Sequence, residues 1–308
     1  MYRIFIILIY FFLFYSKLLS QKEDHNWVMG SYAFGTIEQI EMDTDKLFTP
    51  FLFDFNVDPF EIKYFTYRRF IFDGTNGNYS NPMGHLKYYT NGMQVFGPDD
   101  QPIKGGDTIN YNKYWRRSVH PDTGEKYGFT LFQGIMMLPI RQNEKDLVYV
   151  VNSNYDVQVS AVTGLWYSII DVACNENKGC VIDKDKWLIQ TRLKSGKLQA
   201  CKHGNGRDWW IIAISKDNTT YYTFLLDPQG IRLVNEQNIG RKTTEEFDAG
   251  NATFSHKGDK YAFNDGNYWD STGVISIFDF DRCTGLLANP FFDTLVIPEA
   301  SVGQGIAF

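Results

Sequence analysis

Apolar residues fall along this chain in short runs. LVYVVNS, LWYSIIDV, IIAIS, YYTFLL, YAFND and VISIFDF are each bounded by Gly, Asn, Asp or Lys. Runs of that length between turn residues read as strands, and no amphipathic helical period follows the apolar N-terminus. Aromatic residues make up 17% of the chain, which strengthens the β reading because such side chains fit a pleated, half-buried surface.

The strands recur in a fixed order. QGIMMLP (133–139), LQACKHG (198–204), NATFSHKG (251–258) and the terminal GQGIAF (303–308) each open a unit. A polar turn follows each of the first three (RQNEKD, NGRD, HKGDK), then a second strand, a third strand, a closing turn and a short fourth strand. The openings lie about 65, 53 and 53 residues apart, a spacing of the kind produced by propeller blades. Second strands apolar throughout, such as WWIIAI, bury both faces, which is what stacking blades around an axis requires. The expected fold class is therefore an all-β propeller of four-stranded antiparallel blades. About four blades plus one strand are visible; either the terminal strand completes the first blade and closes a small ring, or the ring is incomplete and the chain truncated at Phe308, and the second is expected. A β-sandwich also uses short strands but does not call for repeated units. Residues 21–106 are expected to form an irregular first blade containing a Leu86–Tyr89/Gln94–Phe96 hairpin about Thr90-Asn91-Gly92, residues 107–128 a loop, and residues 133–308 the further blades.

The first twenty residues carry Arg3 and an apolar run from Ile4 to Tyr15, the layout of a secretory signal peptide. As a helix that run reaches only about 18 Å against a hydrocarbon core of about 30 Å, so an exported chain with no membrane association after cleavage is expected. The net charge of -6 with scattered Lys and Arg argues against nucleic acid as a partner. Cys174, Cys180, Cys201 and Cys283 are an even set suited to an oxidising compartment. Cys174 and Cys180 flank the turn-like NENKG and are expected to pair, leaving Cys201 with Cys283 by subtraction. Without CxxC spacing, and with His25, His85, His120, His203 and His256 far apart, no metal is expected; no dinucleotide fingerprint or Walker loop is present, and no cofactor is expected.

HGNGRDWWIIAISKD (203–217) admits two readings. His203 as a base oriented by Asp208, with Arg207 holding an anion, would suit catalysis, but no nucleophile motif accompanies them. In the other reading Asn205 and Gly206 reverse the chain, Arg207 and Asp208 complete the turn, and Trp209 and Trp210 point to opposite faces of a blade. The second is favoured, since the next unit repeats a His and an Asp in FSHKGDK. DFNVDP and FDFDRC lack the ligand alternation and Gly of a calcium loop. The aromatic and basic segment with Tyr114, Trp115, Arg116 and Arg117 is the candidate contact loop, with Trp115 as a plug for the first blade the equal alternative.

YYTNGMQVFGPDDQPI, QGIMMLP, GLWYSIIDV, LQACKHGNGRDWWIIA, ATFSHKGDKYAFND and ISIFDFDRCTGLLANP, in that order, resemble the N-terminal propeller of exported Bacteroidetes proteins associated with gliding motility and type IX secretion. The resemblance covers most of residues 86–308 and implies a WD-repeat- or YVTN-like surface propeller without an established catalytic activity. The expected function is thus a non-catalytic binding or structural module, with an unidentified protein or glycan at the cell surface as partner. The alternative is an exported carbohydrate-active hydrolase or lyase, which would show two inward carboxylates about 5–9 Å apart beside an aromatic pocket.

Overall fold

A strand that is apolar on both faces belongs in the middle of a sheet that is itself covered on both sides. The computed structural model describes residues 24–30, 50–64, 71–72, 74–119, 121–122, 124, 126–156, 158–159, 161–243, 250–266, 272–296 and 306–308, and the second strands of its four-stranded sheets obey that rule. β7 (Ile135–Gln142), β8 (Lys145–Asp156), β9 (Ala161–Asp171) and β10 (Cys180–Ile189) form an antiparallel sheet in the order β10-β9-β8-β7. Its second strand, β8, is buried from Leu147 to Ser153. The arrangement recurs in β11 (Gln199–Lys202), β12 (Trp209–Ile214), β13 (Tyr221–Asp227) and β14 (Gly230–Gln237). It recurs again in β15 (Ala252–Phe254), β16 (Lys260–Gly266), β17 (Thr272–Asp281) and β18 (Leu286–Val296). These are the three complete units expected from the sequence.

The region before them differs from expectation. Instead of one irregular blade it holds two three-stranded sheets, β1 (Asn26–Met29), β2 (Phe51–Asp54) and β3 (Glu61–Tyr64), then β4 (Gly77–Ser80), β5 (Leu86–Thr90) and β6 (Val95–Phe96). The reason is packing: Val28 and Leu52 of the first sheet meet Tyr89 and Phe96 of the second across a shared core with Phe72, which a single sheet would not allow. The described residues between 107 and 128 include one short helix, α1 (Lys113–Arg117), capped by the Asn112 side chain, which accepts from Trp115 N–H.

Each neighbouring pair of sheets shares one apolar core. The second and third share Tyr88, Val95 and Ile103 with Ile135, Met137 and Val150; the third and fourth share Leu138, Tyr149 and Val151 with Ile211, Ala213 and Phe224. Trp210, Ile212 and Ile214 of the fourth meet Tyr261, Phe263 and Phe278 of the fifth. The first strands form the inner edges: the Gln133 side chain, just before β7, accepts from Ala252 N–H and donates to Ala252 O, both at 2.9 Å, across the breadth of the fourth sheet. Sheets stacked face to face with their first strands converging make the fold a β-propeller.

Residues 1–20, expected as a signal peptide, lie outside the described residues, as does the start of the terminal GQGIAF; Ile306–Phe308 form no strand, and Ile306 N–H donates to Asn251 Oδ1 at 2.9 Å. Among the described residues no helix is long and apolar enough to cross a membrane. Cys174 and Cys180 are joined, as expected. Cys201 and Cys283 are not, and that expectation is corrected. Cys201 sits in β11 opposite Trp210, packed against the core between the fourth and fifth sheets, where burial pushes its thiol up to about 12. Cys283 is exposed in the β17–β18 turn beside Gly204. Pairing by subtraction carries no information about where two side chains point.

Trp210 is 2% exposed, and its Nε1–H donates to Arg282 O of the fifth sheet at 2.8 Å. Trp210→Ala is expected to cost about 3–5 kcal/mol in chemical denaturation, as removal of a core aromatic does; a loss below about 1 kcal/mol would mean that this junction does not hold the fold together.

Candidate functional site

The hairpins put two kinds of chemistry at opposite ends of the propeller. At one end lie the turns between first and second strands and between third and fourth. His203, Asn205, Gly206, Arg207 and Asp208 occupy the β11–β12 turn there and bond chiefly to one another. Asn205 N–H donates to His203 Nδ1 at 3.0 Å, and Asn205 Nδ2 to Asp208 Oδ2 at 2.7 Å. Arg207 grips the same carboxylate with two donors at 2.6 and 2.9 Å, and Gly206 takes the left-handed conformation that closes the turn. The His203 ring stacks on Trp210 with centroids 5.2 Å apart. From the fifth sheet, Arg282 donates to the carbonyls of Lys202, His203 and Lys257, and Gly204 N–H donates to Arg282 O. The stretch thus forms a turn and a clasp between two blades.

The same end carries a repeated carboxylate that the sequence reading missed. Asp171, Asp227 and Asp281 each end a third strand, and each accepts the backbone N–H two residues on, at 3.1, 2.8 and 2.8 Å. Lys145 and Arg232 add ion pairs to Asp171 and Asp227 at 2.9 and 2.7 Å. Alignment of IID, LLD and DFD at the ends of the third strands would have revealed the repeat.

The proposed contact loop lies toward the other end. Tyr114 packs against Phe129 and Tyr155, and its hydroxyl shares a hydrogen with Thr130 Oγ1 at 2.5 Å. Trp115 is half-buried against Tyr111, with Nε1–H donating to Met93 O at 3.4 Å, whereas Arg116 and Arg117 are exposed in the last turn of α1. The loop therefore presents its cations and the exposed Tyr111 and partly buries Tyr114 and Trp115.

Also at this end, where the first strands begin, a recess of about 370 Å³ opens between the first sheet and the inner edges of the third and fifth. Gly30, Phe72, Asn76, Phe132, Gln133 and Asn251 contribute to its lining. Phe132 stands 60% exposed beside Gln133, which is braced at both ends of its amide by Ala252. Asn251 N–H donates to Asn264 Oδ1 at 2.8 Å, and Asn251 Oδ1 is occupied by Ile306 N–H. Gly250 must be glycine: its φ is +109, and a Cβ there would meet Asn264 O at 2.5 Å. Behind this wall Lys194 Nζ lies 2.5 Å and Lys197 Nζ 3.8 Å from the Asp265 carboxylate, all at 1% exposure or less. Such a buried charge cluster fixes the Lys194–Lys197 segment, whose Gly196 abuts Gly250 O. A larger recess, of about 440 Å³, lies in the outer groove near Lys87, Asp99 and Lys178 and lacks this convergence of inner edges. Every described residue lining the inner recess is uncharged, so the paired carboxylates of a glycosidase are not among them. No group of His, Cys, Asp or Glu among the described residues is arranged to hold a metal.

The turn carboxylates set a pH dependence. The Lys145 ammonium holds Asp171 below the ordinary carboxylate range, the Arg207 and Arg232 guanidinium groups do so for Asp208 and Asp227, and the Cys283 backbone N–H does so for Asp281. A depressed folded-state pKa gives stability that is complete above the unfolded value of about 4 and is lost as pH falls through the folded value. The melting temperature is expected to be level above about pH 5 and to fall below about pH 4. Asp208→Asn should cost about 1.5–3 kcal/mol at neutral pH and make the acid fall shallower; an unchanged profile would show that this carboxylate does not stabilise the turn.

No protein-family model and no curated protein matches the chain. Among solved structures, the chain is similar to the Pseudomonas aeruginosa periplasmic gluconolactonase PpgL, at 11% identity and a TM-score of 0.40, over 91% of this chain and 68% of that one. It is also similar to a putative 6-phosphogluconolactonase from Bacteroides fragilis, at 12% identity and a TM-score of 0.37, over 88% and 82%. Both are enzymes by name, and on that finding the expectations of a non-catalytic module and of no enzymatic activity are corrected and set aside. Likeness at this level assigns no activity to this chain.

Proposed function

We propose that the chain is a hydrolase whose substrate is the cyclic ester of a sugar acid, bound in the recess at the inner edges of the blades. The observation that supports it is the chemistry of that recess: amide side chains at Asn76 and Asn251 beside the exposed ring of Phe132, with no charged lining among the described residues. An aromatic face and amide groups suit a polyhydroxylated ring, one stacking and the others hydrogen-bonding. With Asn251 Oδ1 taken by Ile306 N–H, the Nδ2 hydrogens are what Asn251 offers a bound molecule.

Donors of this kind favour carbonyl chemistry over glycoside cleavage. Cleaving a glycosidic bond calls for a carboxyl pair, whereas ester hydrolysis gains most from donors aimed at the oxygen that becomes negative. Water adds to the carbonyl carbon, the bond to the ring oxygen breaks, and that oxygen leaves as a hydroxyl. One water is consumed, and the acid product releases one proton.

We extend the proposal to location: residues 1–20 direct export, in keeping with the resemblance to Bacteroidetes type IX propellers, and the substrate derives from glycan outside the cell.

Proton release makes the test direct. In a pH-stat, aldonolactones are expected to open faster than the spontaneous rate, nitrophenyl glycosides to remain intact, and Asn76→Ala to lower kcat by about 10²-fold, the loss typical of one oxyanion donor. Ring opening at the spontaneous rate over a panel of sugar lactones would sink the proposal.

A further inference from the structure

The junction between the second and third sheets holds several buried polar atoms with no hydrogen-bond partner among the described residues. Asn152, at 0% exposure, has neither amide atom bonded; Trp166, at 7%, has an unbonded Nε1; Asn110, at 1%, has an unbonded Oδ1. Orphaned groups of this kind cost about 1–3 kcal/mol each and are rare in folded proteins, so three residues at one junction call for a common partner.

Strand register brings them together. Asn152 of β8 lies opposite Ile135 on one side and Trp166 of β9 on the other, so all three side chains share the face that packs on the second sheet. The segment Asn110–Asn112 crosses that face. At one end Asn110 N–H and Tyr111 N–H donate to Asp185 at 2.9 and 3.3 Å, and Asp185 is bonded to Ser168, one pleat from Trp166. At the other end Asn112 Nδ2 donates to Asn154 Oδ1 at 2.8 Å, one pleat from Asn152. The Asn152–Trp166 pair therefore lies under the middle of the segment. Asn110 keeps its place there through a left-handed φ of 59 and an Nδ2–H to Gly92 O bond at 2.9 Å.

The unpaired atoms define the ligand. Asn152 Nδ2 and Trp166 Nε1 are donors; Asn152 Oδ1 and Asn110 Oδ1 are acceptors. A cation would face two N–H groups and an anion two carbonyl oxygens, but water gives two hydrogens and accepts two. We propose that one or two buried water molecules bridge Asn110, Asn152 and Trp166 and so fasten the loop carrying α1 to the third sheet.

Asn152→Leu, of nearly the same shape, separates the alternatives by sign. With water in place, the substitution strips its partners and leaves Trp166 Nε1 and Asn110 Oδ1 unsatisfied, so the melting temperature should fall by about 3 °C or more. If the junction is dry, the substitution removes two orphaned atoms and the melting temperature should stay level or rise, which would overturn the proposal. Should the variant fail to fold, a crystal structure of the unaltered protein at about 2 Å decides: ordered water within hydrogen-bond distance of Trp166 Nε1 supports the bridge, and featureless density there refutes it.

Discussion

The fold depends on burying both faces of its second strands. β12 shows the constraint most clearly. Trp209, half-buried, sends its Nε1–H to Pro139 O of the third sheet at 2.8 Å, while Trp210 reaches Arg282 O of the fifth at the same distance. Adjacent residues on a strand point to opposite faces, so one dipeptide ties its sheet to both neighbours. A sheet so built leaves a large apolar face in water if it stands alone, and stability must come from the stack. Each of the junctions described has its own core, and polar clasps such as Arg282 set the register at the rim.

That arrangement also separates structural from functional chemistry. The hairpin end is dense with carboxylates satisfied by backbone N–H groups and by cations one turn away, which leaves them little freedom to act on a ligand. The opposite end collects the starts of the first strands, where the chain crosses between sheets and glycines let backbones approach closely. Loops positioned by a rigid scaffold are where binding usually resides. Here the wall of the recess is braced from behind by the Lys194–Asp265–Lys197 cluster and from the side by Gln133, so its shape follows from the stacking of sheets rather than from any local motif.

Strands and their order were legible because they rest on local signals: apolar runs of fixed length, turn residues with positive φ, and repetition. The Cys174–Cys180 link was legible for the same reason, as both ends belong to one hairpin. Expectations that depended on distance were not. Cys201 and Cys283 are 82 positions apart, and only the packing of Cys201 into a core and the exposure of Cys283 show that they do not meet. The first two sheets were read as one because their strands are short and irregular, and only the Val28–Tyr89 core reveals the division. HGNGRD has the residue types of an active site, yet its carboxylate, imidazole and guanidinium are spent on one another and on Trp210.

The sequence by itself determined that this protein is built from antiparallel strands in repeated units, since period-two burial and turn chemistry are properties of neighbouring residues. It did not determine the recess. Asn76, Gln133 and Asn251 are separated by more than fifty residues at each step and share no motif. They meet because stacking brings the beginnings of separate first strands to one end of the propeller, and that convergence exists only once the cores between the sheets have formed.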